Sequence, residues 1–478
     1  MPGGTVAAVD LGATSGRVML GHVSPTELAL RPVARFPNTP VRTIDGLHWN
    51  ILELYRNVLA GLATAARETP IASIGIDSWA VDYALIRGER MWGNPSHYRD
   101  ERTAGGVAAV HSRVSPAELY RANGLQHLPF TTLFQLETEE LAGIDTMLLV
   151  PDLISFWITG RRVAERTNAS TTGLLDPVSG QWNESLIARL GFPRRIFPEL
   201  VSPGSEIGPL LPGVAAELGL GTWLAIDSRQ QHPVVTAIGS HDTASAVVAV
   251  PATSPDFAYI SCGTWGLVGV ELESPILSEA GRAANFTNEG GVDGRIRFLH
   301  NVMGLWLLSE SVRTWERLDG PIDLPALLAQ AAAVTTPVAV FDANDARFLP
   351  PGDLPMRITE YCAEHVLRPP GSRPEMVRSI IESLAVAFAE AVETASELSG
   401  VRVDVVHLVG GGSQNELLCQ LTADRLGRRV IAGPVEATAI GNVLVQSRAQ
   451  GFMTGDLEAM RALVVRSHET RVYRAQTN

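Results

Sequence analysis

Two segments half a chain apart share one pattern of apolar and polar positions. In Val6-Ala-Ala-Val-Asp-Leu-Gly-Ala-Thr-Ser-Gly-Arg-Val-Met-Leu20 an apolar run gives way to a small polar turn and then resumes, and Phe257-Ala-Tyr-Ile-Ser-Cys-Gly-Thr-Trp-Gly-Leu-Val-Gly-Val270 repeats the scheme. Each reads as a β-hairpin, and the repetition implies two similar halves. Leu54, Val58, Leu59 and Leu62 mark one face of a helix over 53–66 that should pack on the first sheet. Residues 71–78 read as a buried strand that turns polar at Asp77 and Ser78, with Asp82 just beyond. Residues 234–238 predict another buried strand, leading through Gly239-Ser-His-Asp-Thr243 into a helix. Met376, Ile380, Leu384, Phe388 and Val392, four apart and followed by Gly400, predict a long structural helix. Behind it, 405–409 reads as strand, Gly410-Gly-Gly412 as loop and 416–426 as helix. Over 297–308 strand changes to helix near Asn301, which then stands at the helix start, and 341–355 reads as an exposed insertion or lid.

A chain of 478 residues exceeds one ordinary core, so two domains are expected, 1–243 and 244–478. With 45% apolar and 19% charged residues the composition is globular rather than disordered. A net charge of −13 argues against a nucleic-acid surface or an anionic membrane surface as the main partner and leaves small-molecule ligands as the expectation, with a monomer or weak dimer expected. Cys262, Cys362 and Cys419 are odd in number and far apart, which suggests buried free thiols rather than a disulfide framework. The absence of a basic, apolar leader or of a bilayer-length apolar run gives an expectation of a cytoplasmic protein.

The polar positions carry the candidate chemistry. Gly12 and Gly16 are expected to adopt φ > 0 and let the backbone approach a ligand, with Thr14, Ser15 and the turn amides donating to phosphate oxygens. A P-loop or dinucleotide fingerprint would lead into a helix, whereas Arg17-Val-Met-Leu20 continues as strand. Trp79 is placed against a sugar face, with Asp82 accepting from its hydroxyls, although a tryptophan also serves as core. In Gly239-Ser-His-Asp-Thr243 a carboxylate stands between an imidazole and a hydroxyl; taken alone, the stretch reads first as a helix cap at Ser240 or Asp242, with His241 a satisfied surface group. Three consecutive glycines at a strand-to-helix junction favour backbone contact with a flat ring or ribose.

In order along the chain, Val9-Asp-Leu-Gly-Ala-Thr-Ser-Gly-Arg17, Gly75-Ile-Asp-Ser-Trp79, Val81-Asp82, Tyr98-Arg-Asp100, Gly239-Ser-His-Asp-Thr243, Gly263-Thr-Trp265, Asn301-Val-Met-Gly-Leu-Trp306 and Gly410-Gly-Gly412 resemble the FGGY carbohydrate kinase family. The resemblance implies an α/β protein with the two-domain duplicated actin/hexokinase-like (ribonuclease H-like) fold and an interdomain catalytic cleft. It also implies ATP-dependent phosphorylation of a ketose at its terminal O1, with L-rhamnulose as the expected acceptor and fuculose or xylulose as alternatives. Carried over residue by residue, Asp242 is the catalytic base, and Ala80, His241, Asp242, Thr243 and Asn301 contact the sugar. Ala13, Thr14, Ser15, Gly16 and Arg17 meet phosphate, Thr264 and Gly411 meet the nucleotide, and Asp10 helps hold Mg²⁺. Two positions depart from the family pattern: Ala80 replaces a common glycine and Ser309 a common glutamine. An actin-like ATP-operated switch is the alternative from another functional class. It has no need of the polar groups around Trp79 and His241.

Overall fold

The computed structural model describes residues 3–220 and 232–476. Two compact units emerge, each discontinuous in sequence: Met1–Thr253, Glu271–Phe298 and Ala437–His468 form one, and Ser254–Val270, Leu299–Glu436 and Glu469–Asn478 the other. A single cut after residue 243 differs from this division and would fall inside the helix Asp242–Val248.

The first unit holds, among the described residues, a six-stranded sheet in the order Glu206–Pro209, Val234–Thr236, Ser73–Ser78, Gly4–Leu11, Ser15–Val23, Leu28–Pro37. Gly4–Leu11 runs antiparallel to Ser15–Val23 and parallel to Ser73–Ser78; Val234–Thr236 joins parallel and Glu206–Pro209 antiparallel. In the second unit Gly266–Leu272 is antiparallel to Phe257–Cys262, which is parallel to Val405–Val409. Arg429–Ala432 follows in parallel and Arg471–Tyr473 antiparallel. Counted outward from its hairpin, each unit pairs antiparallel, parallel, parallel, antiparallel, so the duplication read from the hairpins extends to the sheets. Ser73–Ser78 and Val405–Val409 are buried along their whole length, as central strands covered on both faces are, although the first carries Asp77 and the second His407.

Helices flank these sheets where periodicity placed them. Ile51–Glu68 buries Ile51, Leu54, Val58, Leu59 and Leu62. Arg373–Ser399 starts at Ser372, whose hydroxyl accepts from the Glu375 amide, and stops at Gly400 in the left-handed region with φ 72°. In the first unit, Ala437–Ala449 lies so close to Asp242–Val248 that a Cβ on Gly441 would stand 1.8 Å from the Ser245 carbonyl oxygen. Only glycine permits that approach.

Three local expectations change. Gly12 and Gly16 are absent from the positive-φ residues; the requirement at Gly16 is steric, because a Cβ there would lie 2.2 Å from the Phe36 ring. Asn301 lies within the strand Ile296–Val302, and the next helix, Trp306–Asp319, begins beyond it, so Asn301 is not a cap. Residues 341–355 are anchored rather than lid-like: Phe341 and Phe348 are buried, Trp306 Nε1 donates to the Phe348 carbonyl, and the Gly352 amide donates to Glu310.

Asp82 is a further correction. Its side chain is fully buried, and its carboxylate accepts from Trp49 Nε1 at 2.6 Å, Trp79 Nε1 at 3.1 Å, the Tyr98 amide at 3.1 Å and Gln135 Nε2 at 2.9 Å. Three donors fall on Oδ2 and one on Oδ1, so in this fully buried position the carboxylate is committed to the fold rather than turned to a sugar. Burial pushes its pKa up to about 6, against the opposing pull of those hydrogen bonds. Trp79 is likewise buried, its ring centroid 4.0 Å from that of Trp49. Asp82 therefore knots four segments together, and holds Val81 at φ 67°, a conformation unusual for a β-branched residue. Asp82→Asn turns an NH₂ toward donors and should cost about 1–3 kcal/mol of stability, read as a lower urea midpoint with little change in sugar KM. An unchanged midpoint with a raised sugar KM would return Asp82 to the sugar.

Candidate functional site

The register of the first unit's parallel strands sets its charged end. Asp10 is directly opposite Asp77 on the neighbouring strand and opposite Arg17 on the other side. Directly paired residues project to the same face of a sheet, which makes a row of Arg17, Asp10 and Asp77. Arg17 Nε donates to Asp10 Oδ2 at 2.9 Å. Asp77 Oδ2 accepts from Asn442 Nδ2 at 2.5 Å, and Asn442 is in turn held by Gln446. Burial, reinforced by the charges of Asp10 and Asp242, drives the Asp77 pKa well above the usual carboxylate range. Its Oδ1 is buried and has no hydrogen-bond partner among the described residues.

The chain beyond Val234–Thr236 continues this arrangement. The Ser78 amide donates to the Ser240 carbonyl, and Ser78 bridges His241 in parallel fashion. Asp242 then opens its helix with a side chain 30% exposed, while neighbouring His241 is buried. Thr243 Oγ1 donates to Asp242 Oδ1 at 3.1 Å, and His241 Nε2 lies 3.3 Å from the same oxygen. Asp242 Oδ2 has no hydrogen bond among the described residues, leaving one carboxylate oxygen as an open acceptor.

This loop is held from behind by residues that sequence reasoning missed. Glu165 Oε2 accepts from the Ser240 amide at 2.9 Å and the Ser240 hydroxyl at 2.8 Å, and Thr167 Oγ1 accepts from the His241 amide. Glu165 is fully buried beside buried Asp152, and burial raises the pKa of both. Val163-Ala-Glu165 is a short strand whose sequence carries no warning that its acid faces a loop 75 positions away. Arg297 and Glu289, on the far side of His241, were also missed; Arg297 is flanked by Ile296, Phe298 and Leu299, a signal of burial, whereas Glu289 stands among Asn288 and glycines with no such signal.

In the first hairpin, Ala13 and Ser15 are half-buried, Thr14 is exposed and Gly16 is buried. Buried Asn38, also missed, braces the turn, its amide donating to the Thr14 carbonyl and its Nδ2 to the Gly12 carbonyl. Half-buried Ala80 lies next to Trp79. Asp10, the hairpin, Ala80, His241, Asp242 and Thr243 thus belong to the first unit. Thr264, Asn301 and Gly411 belong to the second. There the Thr264 carbonyl accepts from the Trp306 amide, and Gly410 takes φ 81° with a Cβ position 3.0 Å from the Cys262 carbonyl oxygen, while a Cβ on Gly412 would meet Cys262 Sγ at 2.4 Å. Gly411 is exposed, with open space where a Cβ would be. Buried Cys262 and Cys419 flank this loop with thiol pKa values pushed up to about 12, mainly by burial. All three cysteines are free. Among the described residues no helix is long and apolar enough to cross a membrane.

The chain matches the N-terminal domain of the FGGY family of carbohydrate kinases over residues 5–249 and the C-terminal domain over 258–450. It is 40% identical to a rhamnulokinase of Bacteroides thetaiotaomicron over 477 residues, covering 98% of this chain and 95% of that one. To a rhamnulokinase of Pectobacterium carotovorum it is 41% identical over 479 residues, 98% and 92% of the two chains. Among solved structures it resembles a ligand-bound xylulose kinase from Lactobacillus acidophilus, with a TM-score of 0.76 at 16% identity over 99% and 94% of the chains. Plasmodium falciparum glycerol kinase with ADP gives a TM-score of 0.75 at 14% identity, again over 99% and 94%. These structural likenesses establish the shared two-domain α/β fold of the sugar kinases. Matched across both halves and along nearly its whole length, the chain belongs to the FGGY family of carbohydrate kinases.

Proposed function

We propose that this kinase transfers the γ-phosphoryl group of ATP to O1 of L-rhamnulose, forming L-rhamnulose 1-phosphate and ADP. The observation that carries this reading is identity of about 40% with rhamnulokinases over nearly the full length of both chains. Likeness to xylulose kinases at 16% identity concerns the fold alone, so it does not favour xylulose. A switch-protein role is set aside by carbohydrate kinase matches to both halves. A cytoplasmic location and a monomer or weak dimer belong to the same reading.

Phosphoryl transfer asks the protein chiefly for positioning and for stabilisation of spread negative charge. We assign Asp242 as the base: its open oxygen orients the acceptor hydroxyl and takes its proton as O1 bonds to phosphorus and the bond to the ADP oxygen breaks. His241 and Thr243 fix that carboxylate and border the sugar, with Ala80 and Asn301 as further sugar contacts. The amides of residues 13–16, with Thr14, Ser15 and Arg17, receive phosphate oxygens; Thr264 and Gly411 receive the nucleotide.

Asp10 and Asp77 suit Mg²⁺, a cation that takes oxygen ligands and completes its shell with water and substrate phosphates. The partnerless buried Asp77 Oδ1 beside Asp10 is the observation in favour. Among the described residues no group of three or more His, Cys, Asp or Glu is poised around one point. When bound, the ion would offset charge on the transferring phosphate.

Three experiments test the reading. A panel of ketoses with ATP, with product position read by phosphorus NMR, should show L-rhamnulose as the preferred acceptor and O1 as the site; preference for xylulose or fuculose would move the substrate assignment. Asp242→Asn should retain nucleotide binding and lower kcat by about 10²- to 10⁴-fold, and substantial turnover would remove Asp242 as base. Gly411→Val fills open space without a packing clash, so a raised ATP KM in a fully stable protein is expected from contact with the ribose or base. An unchanged KM would displace the nucleotide from this loop.

A further inference from the structure

His241 has a charged neighbour at each ring nitrogen, a hydrogen-bonded guanidinium at Nδ1 and a carboxylate within ion-pair distance of Nε2. Nδ1 lies 3.0 Å from Arg297 Nη2, and Nε2 lies 3.3 Å from Asp242 Oδ1. A guanidinium carries donors only and keeps its protons, so a contact of 3.0 Å requires a lone pair on Nδ1. The imidazole proton is then on Nε2, facing Asp242. Glu289 Oε2 pulls the other way: it is 3.3 Å from the same Nδ1, where it would favour an Nδ1–H. Arg297 Nη2 also forms an ion pair with that Glu289 oxygen at 3.1 Å, while its hydrogen bond goes to Nδ1. Arg297 is fully buried and its Nε donates to the Gly290 carbonyl at 2.9 Å, so the guanidinium is fixed in orientation.

We propose that Arg297 is a positioning residue for phosphoryl transfer, one that locks His241 in the Nε2–H tautomer so that its N–H holds Asp242 Oδ1 and leaves Oδ2 for the acceptor hydroxyl. Thr243 Oγ1 supplies the second donor to Oδ1. Without Arg297, Glu289 would draw the proton to Nδ1, and the bare Nε2 lone pair would face a carboxylate oxygen and repel it. The proposal rests on Asp242 acting as base, but the tautomer itself can be measured without reference to turnover.

The test uses the full-length enzyme labelled with ¹⁵N-histidine, whose long-range ¹H–¹⁵N spectra distinguish the tautomers, with His241→Gln used only to assign the signals. The wild-type protein should show Nε2–H at His241; an Nδ1–H or doubly protonated ring overturns the proposal. Arg297→Met should move the ring toward Nδ1–H and lower kcat by about 10²-fold, with a smaller effect on sugar KM. Arg297→Lys, which can still donate to Nδ1, should keep the wild-type tautomer and recover most of kcat. A methionine variant with unchanged tautomer and kcat, or a folded lysine variant as impaired as methionine, also overturns it. If the methionine variant does not fold, the wild-type and lysine spectra still decide. Full activity in Asp242→Asn would instead defeat the base assignment and leave the tautomer result standing.

Discussion

Two carboxylates placed side by side in a buried sheet form the constraint on which the first unit depends. Asp10 and Asp77 face each other across parallel strands, where mutual repulsion and loss of water both oppose ionisation. Their surroundings answer each acid separately. Arg17 pairs with Asp10 from the adjoining strand, and Asn442 donates to Asp77 from a helix 365 positions away in sequence. That helix must approach closely, and Gly441, next to Asn442, has no room for a side chain against Ser245. The same close packing positions the helix that begins with Asp242. Charge and packing are thus one problem here: whatever brings Asn442 to Asp77 also fixes where the helix of the proposed base can lie.

The duplicated sheets show how one scaffold supports two chemistries. In the first unit the residues just before the hairpin turn and at the end of the adjoining parallel strand include Asp10 and Asp77; the corresponding pair in the second unit is Ser261 and Val409. Charge has been replaced by a small hydroxyl and an apolar residue, followed by glycines. A surface of bare backbone suits a flat, partly apolar ring, whereas paired acids and a guanidinium suit phosphate, a cation and an alcohol. The topology is common to both halves, and the chemistry follows from what stands at equivalent strand ends.

This division also explains what the sequence made legible. Periodicity placed the hairpins, the helices Ile51–Glu68 and Arg373–Ser399 and the strand before Asp242, because apolar spacing is a local consequence of burial. Contacts between distant segments leave no such trace. Asp82 stood beside a polar strand end and read as a sugar contact, but its donors come from Trp49, Tyr98 and Gln135, whose convergence no local pattern announces. Asn301 read as a cap because a helix follows, although the strand carries on through it. Glu165, Glu289 and Arg297 were missed for a related reason: a charged residue in sequence reads as solvated, and only the fold shows it buried against the loop that bears Asp242.

Burying so many charges behind one loop is costly unless they do something that apolar packing cannot. Apolar side chains could fill the space occupied by Glu165, Glu289 and Arg297, but they could not choose a tautomer for His241 or grip both the amide and the hydroxyl of Ser240. A base must meet its hydroxyl in one orientation, and small rotations of a carboxylate are readily available to thermal motion. Directional hydrogen bonds resist such rotation where van der Waals contact does not. Asp242 itself stays partly exposed, as the proposed base requires, so any rigidity has to come from its neighbours. The buried acids and the arginine form that second layer, and they stand where orientation matters more than stability.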